Sequence, residues 1–276
     1  DKKNTWIIDP NLVKQAINIH RPAAIIVVDT LGHSFNRDIL FKISKSKKIP
    51  LIEDAAGALG SKYKDIQCGT LADIGILSFN GNKLLTTGSG GMLITNNKAI
   101  ASKAKNILNQ YRKLNTYEYG GIGFNFNMSN LNAVLGLAQM PHLNTVLKKK
   151  KEIAQNYDKY FVNRKDMEIM PKNKWSKNNC WLYSIRLRDK KEAKRLVNHL
   201  KKFKIESRIF WYGLSFQKPY KIYDSILSGV SKVLSGTIVS IPSSSSLQFR
   251  DQQKVIEAFK SFKSKKVLAI KISSND

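Results

Sequence analysis

The sequence predicts an α/β protein: a mixed, mostly parallel sheet between helices, followed by a smaller α+β unit. Three observations predict it. In the first half, short apolar runs alternate with helix-like segments. Two of those runs, "AAIIVVDT" (23–30) and "IPLIEDAA" (49–56), are rich in branched side chains, as in parallel strands covered on both faces. The last third then starts a pattern of its own, with strand-like "CWLYSIRLR" (180–188), helix-like "KKEAKRLVNHLKKF" (190–203) and strand-like "TIVSIPS" (237–243).

Taken in order, "NRDILFKISKSKK" (36–48) joins the first two runs into a βαβ unit. Glu53 and Asp54 stand at the C-terminal end of the second strand, the edge where open α/β sheets bind ligands. Two further strands are expected in "IGILSFN" (74–80) and "GGMLITN" (90–96), then a helix over 97–114 with Asn96 or Asn97 as its N-cap. After the glycine-rich, aromatic "YEYGGIGFNFNMS" (117–129) comes a helical pattern from about Asn130 to Tyr160, kinked or divided by Pro141. A closing helix is expected from about Arg250. The domain boundary is placed near residue 145, which gives residues 1–145 and 146–276.

Composition narrows the function. The 42% apolar content is that of a globular chain, and no apolar run reaches the length of a membrane span. The N-terminus lacks a signal-peptide layout, so a cytoplasmic protein is expected. Cys68 and Cys180 are too few for a disulfide framework and lack metal-ligand spacing; both are read as reduced and structural, with no metal. The net charge of +27 invites a nucleic-acid partner, but the excess is spread along the chain as lysine. No zinc-finger spacing, aromatic-interleaved basic strand or helix-turn-helix accompanies it, and no nucleic-acid function is expected.

The chemistry is concentrated in one short region. Asp54 ends a buried strand, Ser78 ends another, Lys83 follows closely, and "TTGSGGM" (86–92) supplies a loop of small residues beside them. A lysine held among groups that desolvate it is suited to covalent chemistry with a carbonyl. The competing reading is an ordinary surface lysine on a turn, in a chain with 47 lysines and arginines.

The stretch "EDAAGALGSKYKDIQCGTLADIGILSFNGNKLLTTGSGGMLITNN" (53–97) resembles the core signature of the sugar-nucleotide aminotransferases, the DegT/DnrJ/EryC1/StrS family of pyridoxal-phosphate enzymes. Similarity extends through "WIIDPNLVKQAI" (6–17) and "GIGFNFNMSNLNAVLGLAQMPHLNTVLKKKKEIAQNY" (121–157), and more weakly through 205–220 and 239–256. The resemblance implies the fold type I architecture of those enzymes, with residues 1–145 as a large domain lacking about its first hundred residues. It implies Lys83 as the covalent anchor of pyridoxal 5′-phosphate and the base that moves the proton. Asp54 would pair with the pyridine nitrogen and Ser78 would donate to the phosphate. Asn125 would reach the phosphate of a second subunit, in a homodimer with shared active sites.

The implied reaction is amino transfer from L-glutamate to a nucleotide-linked 4-keto-6-deoxy sugar, for surface polysaccharide or glycan synthesis. The chain departs from the family at two places. Gly57 stands where a polar residue usually touches the cofactor, and Asn127 stands where an arginine is usual. These departures and the absent N-terminal segment carry the alternative of a catalytically impaired remnant or half of a split enzyme. His33 falls where the family often has a polar residue near the cofactor pocket, although a lone loop histidine is more often structural. Arg208 is placed to meet a carboxylate or diphosphate, against the commoner surface ion pair. Ser243, opening the run 243–246, is a substrate candidate against a plain loop after a strand.

Overall fold

The computed structural model describes residues 5–264. The chain runs α1 (Pro10–His20), β1 (Ile25–Val28), α2 (Arg37–Lys47), β2 (Leu51–Asp54), β3 (Lys62–Tyr63), β4 (Ile66–Gln67), β5 (Ile74–Ser78), β6 (Gly91–Ile94), α3 (Lys98–Leu108) and α4 (Asn130–Gln139). It continues through α5 (Leu143–Phe161), β7 (Met167–Ile169), β8 (Ser176–Lys177), β9 (Tyr183–Leu187), α6 (Lys190–Lys202), β10 (Arg208–Ile209), α7 (Val230–Leu234), β11 (Ile238–Ile241) and α8 (Phe249–Ser261). These elements fall into two units. One comprises residues 13–146 and 173–181; the other comprises 5–12, 147–172 and 182–264.

The first unit is built on a four-stranded sheet in the order β1-β2-β5-β6. β1, β2 and β5 are parallel, and β6 returns antiparallel to β5. Ile25, Val27, Leu51, Glu53 and Leu77 lie buried on one face. On the other, Ile26 is 63% exposed, so β1 is not covered on both faces within this unit as its apolar run suggested. An apolar run records that a strand avoids water on at least one side, and cannot say on which. A small antiparallel sheet, β4-β3-β8, attaches residues 173–181 to the loop that follows β2.

The helices start where capping chemistry sets them. Asn36 Oδ1 accepts the Ile39 N–H ahead of α2, and Asn97 Oδ1 accepts those of Ala99 and Ile100 ahead of α3. The second helix is shorter than its apolar periodicity suggests. α3 stops at Leu108 because Gln110 and Tyr111 turn to positive φ and the backbone pairs instead with the 119–126 segment, Phe124 N donating to Ile107 O at 2.7 Å. Pro141 sits in a single 3-10 turn, Met140–His142, that separates α4 from α5.

The second unit carries an antiparallel sheet in the order β10-β11-β9-β7. Every residue of β9 is buried. Its polar members are paired accordingly: Ser184 Oγ meets Ser240 Oγ at 2.6 Å, and Arg186 donates to Glu168 at 2.6 Å. Tyr157 and Phe161 of α5, Tyr183 of β9 and Phe259 of α8 form an aromatic core, with centroids 4.9 Å apart for Tyr157–Tyr183 and 4.8 Å for Phe161–Phe259.

Candidate active site

Asp54, Ser78 and Lys83 come together at the carboxyl edge of the parallel strands. Asp54 ends β2, in register with Ile76 of β5, and Ser78 ends β5 itself. Asp54 Oδ1 accepts the Ala56 N–H at 3.1 Å, and Ser78 Oγ accepts the Asn80 N–H at 3.4 Å. Lys83 lies one turn beyond, its N–H closing onto Asn80 O at 3.0 Å. All three side chains are half-buried. Partial desolvation pulls the Lys83 ammonium below its ordinary range, with the Asp54 carboxylate opposing that shift.

The loop after Lys83 is fixed by α4, not by the nearer α3. Gln139 of α4 donates to Thr86 O at 2.7 Å and accepts the Thr86 N–H at 3.2 Å. Asn132 of the same helix donates to Thr87 O, and Thr87 N returns to Phe79 O at 2.9 Å. These polar groups of α4 were not singled out in the sequence, where the helix is recognisable only by its apolar spacing.

Trp181 also escapes the sequence reading. Its ring lies 4.0 Å, centroid to Nζ, from Lys83, and its indole N–H donates to Asn82 O at 2.8 Å. Beside it stands Gly57, where an added Cβ would come within 2.8 Å of the Trp181 ring. The neighbouring Asn179 holds the loop after Asp54 by donating to Gly57 O at 3.0 Å and Leu59 O at 2.9 Å. A Cβ at Gly32, which has φ 83°, would run into the Asn179 side-chain oxygen.

Behind the strand ends lie Asp29, Glu53 and Cys68, all buried, with side-chain donor atoms within 4.8 Å of one another. Glu53 accepts two backbone N–H groups, from Gly69 at 2.6 Å and Leu71 at 2.7 Å, whereas Asp29 accepts one, from Phe35 at 3.0 Å. Burial and the neighbouring Glu53 push Asp29 well above the usual carboxylate range. With the fewer donors, Asp29 keeps the proton, and burial holds the Cys68 thiol protonated as well.

The remaining predicted residues take other places. Asn125 is exposed on the 119–126 segment, beside the stacked rings of Phe124 and Phe126. Arg208 and Ser243 belong to the other unit. Arg208 makes an exposed ion pair with Glu206 at 2.7 Å. Ser243 is buried, its hydroxyl accepting the Tyr183 N–H at 3.1 Å and its carbonyl taking the Lys150 ammonium.

His33 is buried, with Nδ1 lacking a hydrogen-bond partner among the described residues, and burial lowers it to about 4. Because the folded state holds this histidine neutral, protonation favours the unfolded chain, whose imidazole titrates near 6.5. Stability is therefore expected to fall as pH drops from about 6.5 towards 4, by about 3 kcal/mol from this group. Urea unfolding of the wild type and His33→Gln at pH 7 and pH 4.5 checks it: the variant should lose less stability across the interval.

A model of the DegT/DnrJ/EryC1/StrS aminotransferase family matches residues 1–260. The chain belongs to that family. It is 32% identical over 264 residues to a putative pyridoxal phosphate-dependent aminotransferase, EpsN, of Bacillus subtilis, covering 92% of this chain and 68% of that one. It is 33% identical over 217 residues to the GDP-perosamine synthase of Escherichia coli O157:H7, covering 78% and 59%. Among solved structures it superposes on Helicobacter pylori PseC, an aminotransferase of pseudoaminic acid biosynthesis, with a TM-score of 0.86 at 25% identity, covering 95% of this chain and 73% of that one. The chain thus spans 68% and 59%, respectively, of the length of these two curated relatives.

Family enzymes are pyridoxal-phosphate-dependent, with the fold type I architecture seen here. The donor set suits that group: a carboxylate at the strand end, a partly desolvated lysine within its field, and a hydroxyl one strand over.

Proposed function

We propose that this chain carries the cofactor-binding core of a cytoplasmic sugar-nucleotide aminotransferase, which passes the amino group of L-glutamate to a nucleotide-linked 4-keto-6-deoxy sugar. The observation that carries the reading is the placement of Lys83 beside Asp54 at one sheet edge, in a chain of this family. The names of the relatives, GDP-perosamine synthase among them, support a nucleotide-sugar substrate. In this reading the large, cofactor-binding domain, placed by the sequence at residues 1–145, corresponds to the unit of residues 13–146 and 173–181, and the small domain to the other unit, which also takes residues 5–12.

Pyridoxal phosphate, when bound, supplies an aldehyde that joins amines and a pyridine ring that takes up the electron pair released at carbon. The residues around it have distinct tasks. Asp54 would pair with the ring nitrogen, and Ser78 would offer a hydroxyl donor to the phosphate. Lys83 would anchor the group and, as a neutral amine, would take and return a proton at Nζ. A lysine already drawn below its ordinary range gives up its proton more readily at neutral pH, which favours both tasks. The test is direct: purified protein plus pyridoxal phosphate should show the visible band of lysine-bound cofactor, and glutamate should discharge it. A folded protein that shows no band would sink the reading for this chain.

The reading includes a homodimer. Its support is a set of exposed apolar side chains between residues 114 and 137: Leu114, Tyr117, Ile122, Phe126, Leu131 and Leu137, with Ile122 and Leu131 at 91% and 86% exposure. Large apolar side chains this exposed mark a candidate contact surface, and Asn125 lies within the same stretch of sequence. Replacing both Leu131 and Leu137 by Glu is expected to convert a dimer to monomers in analytical ultracentrifugation without altering the far-UV circular dichroism. Unchanged sedimentation would place the dimer contact elsewhere.

A further inference from the structure

The loop after Asp54 lacks a side chain at Gly57, and the space is taken by a residue more than a hundred positions away. Trp181 is 6% exposed and lies flat enough over Gly57 that an alanine Cβ would stand 2.8 and 2.9 Å from Cε3 and Cζ3. Real Cβ atoms essentially never make contacts that short, so the indole in this position requires glycine at 57. The same ring faces the ammonium of Lys83 at 4.0 Å, within cation–π distance. Its N–H is committed to Asn82 O, the carbonyl immediately before Lys83, which fixes the ring's rotation about its own plane. Asn179 completes the arrangement by tying the Gly57 and Leu59 carbonyls to the strand-entry segment that carries Trp181.

We propose that Trp181 is a positioning residue for Lys83, and that Gly57 and Trp181 act as a matched pair: the missing side chain at 57 admits the indole, and the indole holds Nζ at the site. The role of Lys83 in amino transfer rests on the function proposed above, but its placement by Trp181 does not, and the two are tested apart.

The experiment uses the protein without added cofactor. Lysines are labelled by reductive methylation under limiting reagent, and the extent at Lys83 is read by peptide mass spectrometry against Lys42 and Lys98. Trp181→Leu removes the aromatic face, frees Nζ and weakens the hold on its charged form. Labelling of Lys83 is expected to rise about two- to fivefold, with the reference lysines unchanged. Trp181→Phe keeps an aromatic face and should stay within about twofold of wild type.

Gly57→Ala should reproduce the Leu effect by displacing the ring, and should add nothing further in the Trp181→Leu background, because the two changes break one contact. Unchanged Lys83 labelling in folded Trp181→Leu overturns the proposal, as do additive effects of the two substitutions. Should Trp181→Leu fail to fold, Gly57→Ala and Trp181→Phe decide between the same outcomes. A wild-type protein that shows the labelling pattern but no visible band with pyridoxal phosphate would refute the proposed function and leave the Trp181–Lys83 pairing standing.

Discussion

Lys83→Ala is expected to abolish the visible cofactor band and to lower amino transfer by at least about a thousandfold, since acid–base catalysis alone contributes roughly 10²–10⁴. In the proposed function the substitution removes the nitrogen that would anchor the cofactor and the group that would carry the proton. Lys83→Arg separates these from charge: a guanidinium keeps the cation near Asp54 but cannot deprotonate in the working range, so it should be as inactive as alanine. Absorbance spectra and single-turnover rates with glutamate check both variants. A band retained in Lys83→Ala would show that another lysine is the anchor. The backbone turn at 80–83 depends on the Lys83 N–H and not on its side chain, so loss of activity should come without loss of fold.

The largest stability effect is expected at Glu53, which adjoins Asp54 but faces the other way. Its carboxylate is fully buried and accepts the N–H groups of Gly69 and Leu71 at 2.6 and 2.7 Å. Glu53→Ala would strand two buried donors, at about 1–3 kcal/mol each, so a loss of about 3–5 kcal/mol is expected. For a protein of this size that corresponds to roughly 10 °C in Tm. Glu53→Gln retains the volume and one acceptor and should fall between. It also leaves an amide N–H₂ facing a backbone N–H, so it is not a silent replacement. Thermal unfolding followed by circular dichroism measures both; a change below about 1 kcal/mol in Glu53→Ala would mean that the 67–71 loop finds other acceptors.

Much of the fold was legible because the signals are local. Branched apolar runs set β1 and β2, an asparagine cap set the start of α3, and Pro141 set the break between α4 and α5. The end of α3 was not legible, because the competing partner of its last turn is the 119–126 segment. A helical period persists in the residues whether or not the backbone continues as a helix.

The site divides in the same way. Asp54, Ser78 and Lys83 occur within thirty residues, and their order and family context made them the candidates. Whether Lys83 stands at the surface or in a site is a matter of what covers it, and the covering ring comes from Trp181, with no sequence pattern linking it to Gly57. Glu53 and Asp54 are neighbours in the chain and look alike there. A strand sends alternate side chains to opposite faces, so burial gave Glu53 to the fold and left Asp54 at the site edge. The sequence by itself determined which chemical groups this protein has and the order of the elements that carry them. Only the tertiary structure decided which of them are dry, paired and facing one another, because desolvation and contact depend on residues distant in the chain.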